Sequence, residues 1–173
     1  FSSATDLFFR NAKCLVIGVT GTKGKGTTST LIYKILKANG KDVYLAGNIG
    51  KPAINILPKL KKDSVTVLEL SSFQLQDLKH SPQIAVVLDM FPDHMDVHKN
   101  LKEYFEAKSS IVKYQTPKDK VFYTASNKYT RNVAAKGLGK EIAIDTKTFN
   151  LFKSEDLKIK GERDTGVELV FAA

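Results

Sequence analysis

Apolar residues in this chain fall into short unbroken runs separated by stretches of helical period. "CLVIGV", from Cys14 to Val19, has no polar interruption and predicts a strand buried on both faces. "TTSTLIYKILKANG" follows and sets Leu31, Ile32, Ile35 and Leu36 on one helical face, with Gly40 placed to end the helix. The rhythm continues with a strand at "DVYLAG", a short helix at "PAINILPKL", and strands at "SVTVLEL" and "IAVVLDM". A helix from about Leu101 to Tyr114, a strand "KVFYTA", a helix "YTRNVAAKG" and a strand "EIAID" complete the pattern. Strands that alternate with helices and are apolar throughout predict an α/β fold, a mostly parallel sheet with helices on both faces. The tail differs. "LKIKGERDTGVELVF" alternates apolar and polar positions around Asp164-Thr165-Gly166 and predicts a small antiparallel β-hairpin near the C-terminus. No internal repeat or low-complexity linker interrupts the chain.

Between the first strand and the first long helix lies "VTGTKGKGTT", Val19 to Thr28. That junction is where a P-loop sits: backbone amides and the helix dipole face phosphates, and a lysine reaches the outer ones. The strict spacing G-x-x-x-x-G-K-[ST] fails twice, because Val19 stands five before Gly24 and Gly26 follows Lys25 where a hydroxyl is usual. A tight structural turn is the alternative. Glu69 ends an apolar strand run, and the carboxyl edge of a parallel sheet is where such folds bind ligands. A hard oxygen there suits magnesium; a solvated strand-end glutamate is the plain alternative. His94 occupies the polar break "FPDHMDVH" and is a candidate second-metal ligand, whereas His98 reads as an ordinary surface-loop histidine. Lys108 falls within the stripe Leu101, Tyr104, Phe105, Ile111, Val112. A lysine on a buried face has a depressed pKa and so a neutral fraction able to capture carbon dioxide. The alternative is a stem that packs while its ammonium reaches water.

Composition narrows the partners. The 173 residues suit one domain, and 42% hydrophobic content is ordinary for a globular protein with a real core. No apolar run approaches the roughly 20 residues of a membrane span, and no secretion-signal pattern opens the chain. The single cysteine, Cys14, lies in an apolar run and reads as a small buried hydrophobe, which with the rest suits a cytoplasmic protein. A net charge of +9 invites a nucleic-acid partner. Only Arg10, Arg131 and Arg163 are arginines, however, and the lysines are scattered without interleaved aromatics, the pattern of a solvated surface. Neither a nucleic acid nor a membrane is expected as partner.

Taken in order, "TGTKGKGTT", "GNIG" at Gly47–Gly50, "LELSSFQL" at Leu68–Leu75, "PDHMDVH" at Pro92–His98 and "EYFEAKSSI" at Glu103–Ile111 resemble the central ATP-binding domain of the Mur ligase family. The resemblance runs from about Ile17 to Asp145, and "GNIG" with "ELSSFQL" is most similar to the D-glutamate-adding branch. It implies ATP and two Mg²⁺ ions as cofactors, with Gly21, Thr22, Lys23, Gly24, Lys25, Gly26 and Thr27 around the phosphates. It implies Glu69, His94, Thr27 and a carbamylated Lys108 as metal ligands, and Lys25, Glu69, His94 and Lys108 as the catalytic set. Asn48, Ser71 and Gln74 are implied to contact the sugar-nucleotide substrate, although each could equally serve a turn or cap a helix. Asn127 is the candidate at the adenine, since Thr124 stands where an asparagine is common.

The implied reaction is ATP-dependent amide bond formation. UDP-N-acetylmuramoyl-L-alanine is activated as an acyl phosphate and D-glutamate attacks it, in a monomeric enzyme. The 173 residues correspond to the family's central domain, incomplete, with the N-terminal uridine-nucleotide domain and the C-terminal domain absent, so the chain is expected to bind nucleotide weakly and ligate nothing alone. Water or the Thr27 hydroxyl is expected to replace the hydroxyl missing at Gly26. A folylpolyglutamate synthetase-like or other Mur-superfamily ligase, and a non-catalytic nucleotide- or nucleic-acid-binding module, remain as alternatives.

Overall fold

A computed structural model describes residues 3–91, 101–145, 157–160 and 168–171. The chain forms two units, Phe1–Ala143 and Ile144–Ala173. The first carries a sheet built from β1 (Leu15–Thr20), β2 (Val43–Gly47), β3 (Val65–Glu69), β4 (Ile84–Val87), β5 (Lys120–Thr124) and β6 (Lys140–Ile144), in the order β2-β3-β1-β4-β5-β6. The pairs β2–β3, β3–β1, β1–β4 and β4–β5 are all parallel. In the second unit, β7 (Leu157–Lys160) and β8 (Glu168–Phe171) pair antiparallel, as the alternating tail predicts. The turn expected at Asp164-Thr165-Gly166 lies outside the described residues.

Successive side chains of a strand point to opposite faces, and the two cores of the first unit follow that alternation. Ile17, Val19, Val65 and Val67 form one cluster with Ile32, Tyr33 and Leu36 of α2 (Lys25–Ala38). Val16, Leu68, Ala85, Val87 and Val121 face the other way. They meet α1 (Ala4–Asn11), α3 (Ala53–Ile56), α4 (Ser72–Gln76), α5 (Leu101–Lys113) and α6 (Lys128–Ala134) through residues such as Phe8, Ile56, Leu75, Ile111 and Val133. Helices therefore cover both faces. Each wholly buried Val or Leu contributes about 1.5–3 kcal/mol to this arrangement. Cys14 is buried, with its sulfur 3.4 Å from the Thr66 hydroxyl.

The long helix α2 starts two residues before the apolar pattern suggests, because Lys25 and Gly26 already have helical backbone. At its other end Gly40 closes it as expected. The Lys41 amide donates to Leu36 O and the Gly40 amide to Lys37 O, the two bonds of a Schellman cap. "PAINILPKL" makes a single turn, α3, and then a short 3-10 turn at Leu57–Lys59.

Two helices have no counterpart in the periodicity. In α1 the Ser3 side chain caps the helix by accepting from the Asp6 amide, and Phe8 is wholly buried. Asp6, itself buried, pairs with Arg10 at 2.9 Å and with His80 at 3.0 Å, tying α1 to the segment before β4. Phe8→Ala is expected to lower unfolding free energy by about 3–5 kcal/mol, the usual cost of emptying a buried aromatic site. A loss of under a third of that free energy in urea unfolding would show α1 to be a loose appendage.

Candidate active site

Because β1 lies between β3 and β4, the carboxyl ends of three neighbouring strands open onto one crevice, the place where open α/β sheets bind ligands. Val19 is in register with Glu69, Glu69 with Gly47, and Thr20 with Val87. The loop Gly21–Gly24 leaves β1 here and turns into α2. Gly24 holds the N-cap position at φ 80°, a left-handed conformation that side chains resist, and no side chain caps the helix there. The first-turn amides of a helix have no intrahelical acceptors and carry the positive end of its dipole. The result is an anion cradle.

Two amines meet at the loop. Lys25 Nζ donates to Thr22 O at 3.0 Å and to Gly21 O at 3.3 Å. Lys108, 2% exposed on α5, donates to the same Gly21 O at 3.0 Å and to Thr20 Oγ1 at 3.5 Å. Its Nζ lies 4.8 Å from the centre of the Tyr104 ring. Lys108 therefore carries its ammonium inward and not to water. Thr22 holds the loop from the other side: its amide donates to Asp89 O, and its hydroxyl meets the Phe91 amide at 2.9 Å and Tyr104 Oη at 3.1 Å.

Glu69 ends β3 and is 4% exposed. Its Oε1 accepts from Asn48 Nδ2 at 3.3 Å, while Oε2 is buried and has no hydrogen-bond partner among the described residues. A Cβ added at Gly26 would lie 3.2 Å from that Oε2. A buried carboxylate oxygen left without a donor is costly, and here it faces the first turn of α2. A divalent cation held between this oxygen and phosphates fits the donor set, since Mg²⁺ takes one or two carboxylates plus phosphate oxygens and water.

The remaining expected residues have definite placements. Lys23 and Thr27 are exposed at the start of α2. Asn48 orients Glu69, and its amide also donates to Glu69 O at 3.0 Å. Ser71 and Gln74 form a capping box at α4, each side chain satisfying the other's backbone. Asn127 caps α6 by accepting from the Tyr129 and Thr130 amides, and donates to Met90 O at 2.9 Å. His94 and His98 lie outside the described residues. Among the described residues no cluster of three His, Cys, Asp or Glu is present. Lys25 and Lys108 both reach Gly21 O, while Glu69 faces Gly26 in the first turn of α2.

Sequence reasoning missed Gly47, Tyr104 and Phe73. Gly47 lets β2 close on Glu69. Tyr104, read only as part of the apolar stripe, lies between Thr22 and Lys108. Phe73, 52% exposed, lines a small cavity of about 40 Å³ with Gly21, Lys25, Ser71, Tyr104 and Lys108. A far larger cavity, about 990 Å³, opens between α1, α4 and α5, where acids and lysines are intermixed. It holds neither Lys25 nor Lys108, which both line the smaller one beside the loop.

The sequence model of the Mur ligase middle domain matches residues 19–170. The chain belongs to the Mur ligase family. Among its Mur ligase relatives, the UDP-N-acetylmuramoylalanine--D-glutamate ligase of Acetivibrio thermocellus is 36% identical over 99% of this chain and 38% of its own length. That of Symbiobacterium thermophilum is 50% identical over 69% of this chain and 26% of its own length. The chain thus spans between 26% and 38% of these two proteins. Among solved structures, the MurF ligase of Thermotoga maritima in complex with ADP superposes with a TM-score of 0.64 at 22% identity, covering 82% of this chain and 35% of that one. E. coli FolC in complex with DHPP and ADP superposes at 0.60 and 16% identity over 82% of this chain and 46% of its own. At these identities the likeness is one of fold. Among the described residues of this Mur ligase chain, no helix is long and apolar enough to cross a membrane.

Proposed function

We propose that this chain is the ATP- and magnesium-binding part of a cytoplasmic amide ligase that joins D-glutamate to UDP-N-acetylmuramoyl-L-alanine, as the names of its curated relatives suggest. The observation that carries the proposal is the buried Glu69 Oε2, without a partner among the described residues and facing the first turn of α2, with Lys25 and Lys108 both on Gly21 O. In the first step the substrate carboxylate attacks the γ-phosphorus of ATP, ADP leaves and an acyl phosphate forms. In the second the D-glutamate amine attacks the acyl carbon, loses its proton and expels orthophosphate. Catalysis of this kind is mostly positioning and charge neutralisation.

Lys25 swings from the loop carbonyls to the outer phosphate oxygens and neutralises charge on the departing ADP. The amides at the start of α2 hold the inner phosphates. Glu69 would hold magnesium, oriented by Asn48, and the bound metal supplies charge neutralisation between phosphate oxygens. Carbamylation of Lys108 would convert a buried cation into a carboxylate-like ligand, with His94 completing a second ion's set. Phe73 and Ser72 line the same small cavity as Lys25 and Lys108.

The test compares two polypeptides. The full-length protein is expected to release ADP only when UDP-N-acetylmuramoyl-L-alanine, D-glutamate and Mg²⁺ are all supplied. The 173-residue chain alone is expected to bind ATP weakly in calorimetric titration and form no amide. Failure of both to bind nucleotide, or equal turnover with an acceptor other than D-glutamate, would refute the assignment.

A further inference from the structure

Every polar group of Thr22 is engaged inside the protein. Its amide donates to Asp89 O at 2.9 Å, and its carbonyl accepts from Lys25 Nζ at 3.0 Å. The side-chain oxygen has one proton to give and two lone pairs to offer. It donates to Phe91 O at 3.2 Å and accepts from the Phe91 amide at 2.9 Å, which leaves the Tyr104 hydroxyl, 3.1 Å away, to donate to its second lone pair. Nothing on Thr22 is left over for a phosphate, although it sits in the loop that forms the anion cradle. The same bonds join three elements at one residue. Asp89 and Phe91 follow β4, and Tyr104 belongs to α5, one turn before Lys108 and on the same face of that helix. The helix α5 therefore reaches the loop at two adjacent residues, through Lys108 at Gly21 O and through Tyr104 at Thr22. The segment after β4 is held from another side as well, where Asn127 Nδ2 donates to the carbonyl of the wholly buried Met90.

We propose that Thr22 is a positioning residue of the reaction: its hydroxyl clasps the phosphate loop to α5 and to the segment after β4, and so fixes the separation of Lys25 from Lys108, without itself touching the nucleotide. The inference rests on the nucleotide reading above and adds to it the residue that sets the spacing of the two amines. A side chain of the same shape without the hydroxyl takes a partner from Phe91 and from Tyr104 at once, and the loop is then free to shift against α5. A displacement of about 1 Å costs on the order of 10²-fold in rate where reacting groups must be held in line. Ground-state binding suffers less, because the loop amides and Lys25 move together with the loop.

The experiment compares, in the full-length protein, Thr22→Val, which keeps the shape and removes the hydroxyl, with Thr22→Ser, which keeps the hydroxyl. Thr22→Val is expected to lower kcat for ADP release by about 10–10²-fold, while affinity for a non-hydrolysable ATP analogue changes by less than about threefold. Thr22→Ser should return kcat to within about threefold of the unaltered protein. Tyr104→Phe opens the clasp from its other end with the ring packing retained, so it too should lower kcat, and the double variant with Thr22→Val should be no slower than the slower single one. The clasp is also measured without nucleotide: in Thr22→Val the Phe91 amide should exchange its hydrogen at least about tenfold faster, with β1 unchanged. A Thr22→Val protein that loses about tenfold or more in analogue affinity at unchanged kcat would put the hydroxyl on the nucleotide. That result, multiplicative effects of the two substitutions, or an unchanged Phe91 exchange rate would each overturn the inference while leaving nucleotide binding intact. Absence of nucleotide binding by the unaltered protein would overturn the proposed function, and the positioning role with it, even if the exchange rates reveal the clasp.

Discussion

Replacing Lys25 by alanine is expected to lower the ATP-dependent turnover of the full-length protein by about 10²–10³-fold, the usual loss when one preorganised charge-stabilising donor is removed. Thermal stability should barely change, because the amine is only partly buried and water can satisfy the Gly21 and Thr22 carbonyls that it leaves. Lys25→Arg should not rescue the rate, since a planar guanidinium does not fit a cradle shaped for a compact ammonium. Initial rates of ADP release at saturating ATP, measured beside a melting curve, decide the matter. A rate within tenfold of the unaltered protein would place the phosphate contact elsewhere.

The second large effect is structural. Gly47→Ala should destabilise the protein by more than about 3 kcal/mol, well beyond the range of ordinary surface substitutions. Gly47 holds φ 109°, and a Cβ there would lie 2.2 Å from the carbonyl oxygen of Glu69 and 3.0 Å from its amide nitrogen. Neither atom can rotate away as a side chain would, so β2 must separate from β3 at its carboxyl end. That separation also loosens Asn48 and with it the orientation of Glu69, so magnesium-dependent binding should fall along with stability. Urea unfolding gives the first quantity and calorimetric titration the second. A change below 1 kcal/mol would mean that the close contact relaxes at little cost.

The parts of the fold visible beforehand were those whose periodicity is set by one neighbouring layer. The run "CLVIGV" corresponds to β1 and the stripe Leu31, Ile32, Ile35, Leu36 to α2, of which Ile32 and Leu36 pack on Ile17 and Val19 while Leu31, expected on the same face, is exposed and Tyr33 packs there as well. The helix α1 left no such trace: it is eight residues long, and its start is written in Ser3 and Asp6 and not in a stripe. The helix α4 is shorter still, and its capping residues Ser71 and Gln74 resemble loop polar groups until their mutual bonds are known.

The site divides in the same way. A lysine interrupting an apolar face marked Lys108, yet nothing local could reveal that its ammonium reaches Gly21 on another element. Asn48 could be identified as important without its neighbour being known, because its bond to Glu69 depends on β2 pairing with β3. Gly26 and Glu69 are likewise brought together by the β1–β3 register, and strand order does not follow from the pattern of any single strand.

The shared carbonyl of Gly21 also bears on how fast the protein can work. Lys25 has acceptors within the loop itself, Gly21 O and Thr22 O, and these bonds brace the cradle from inside. Entry of a triphosphate is consequently a trade of one set of oxygens for another, and only the difference between them appears as affinity. Under the proposed function, the amine would have these main-chain acceptors to return to when ADP leaves, an arrangement that would favour release over tight retention.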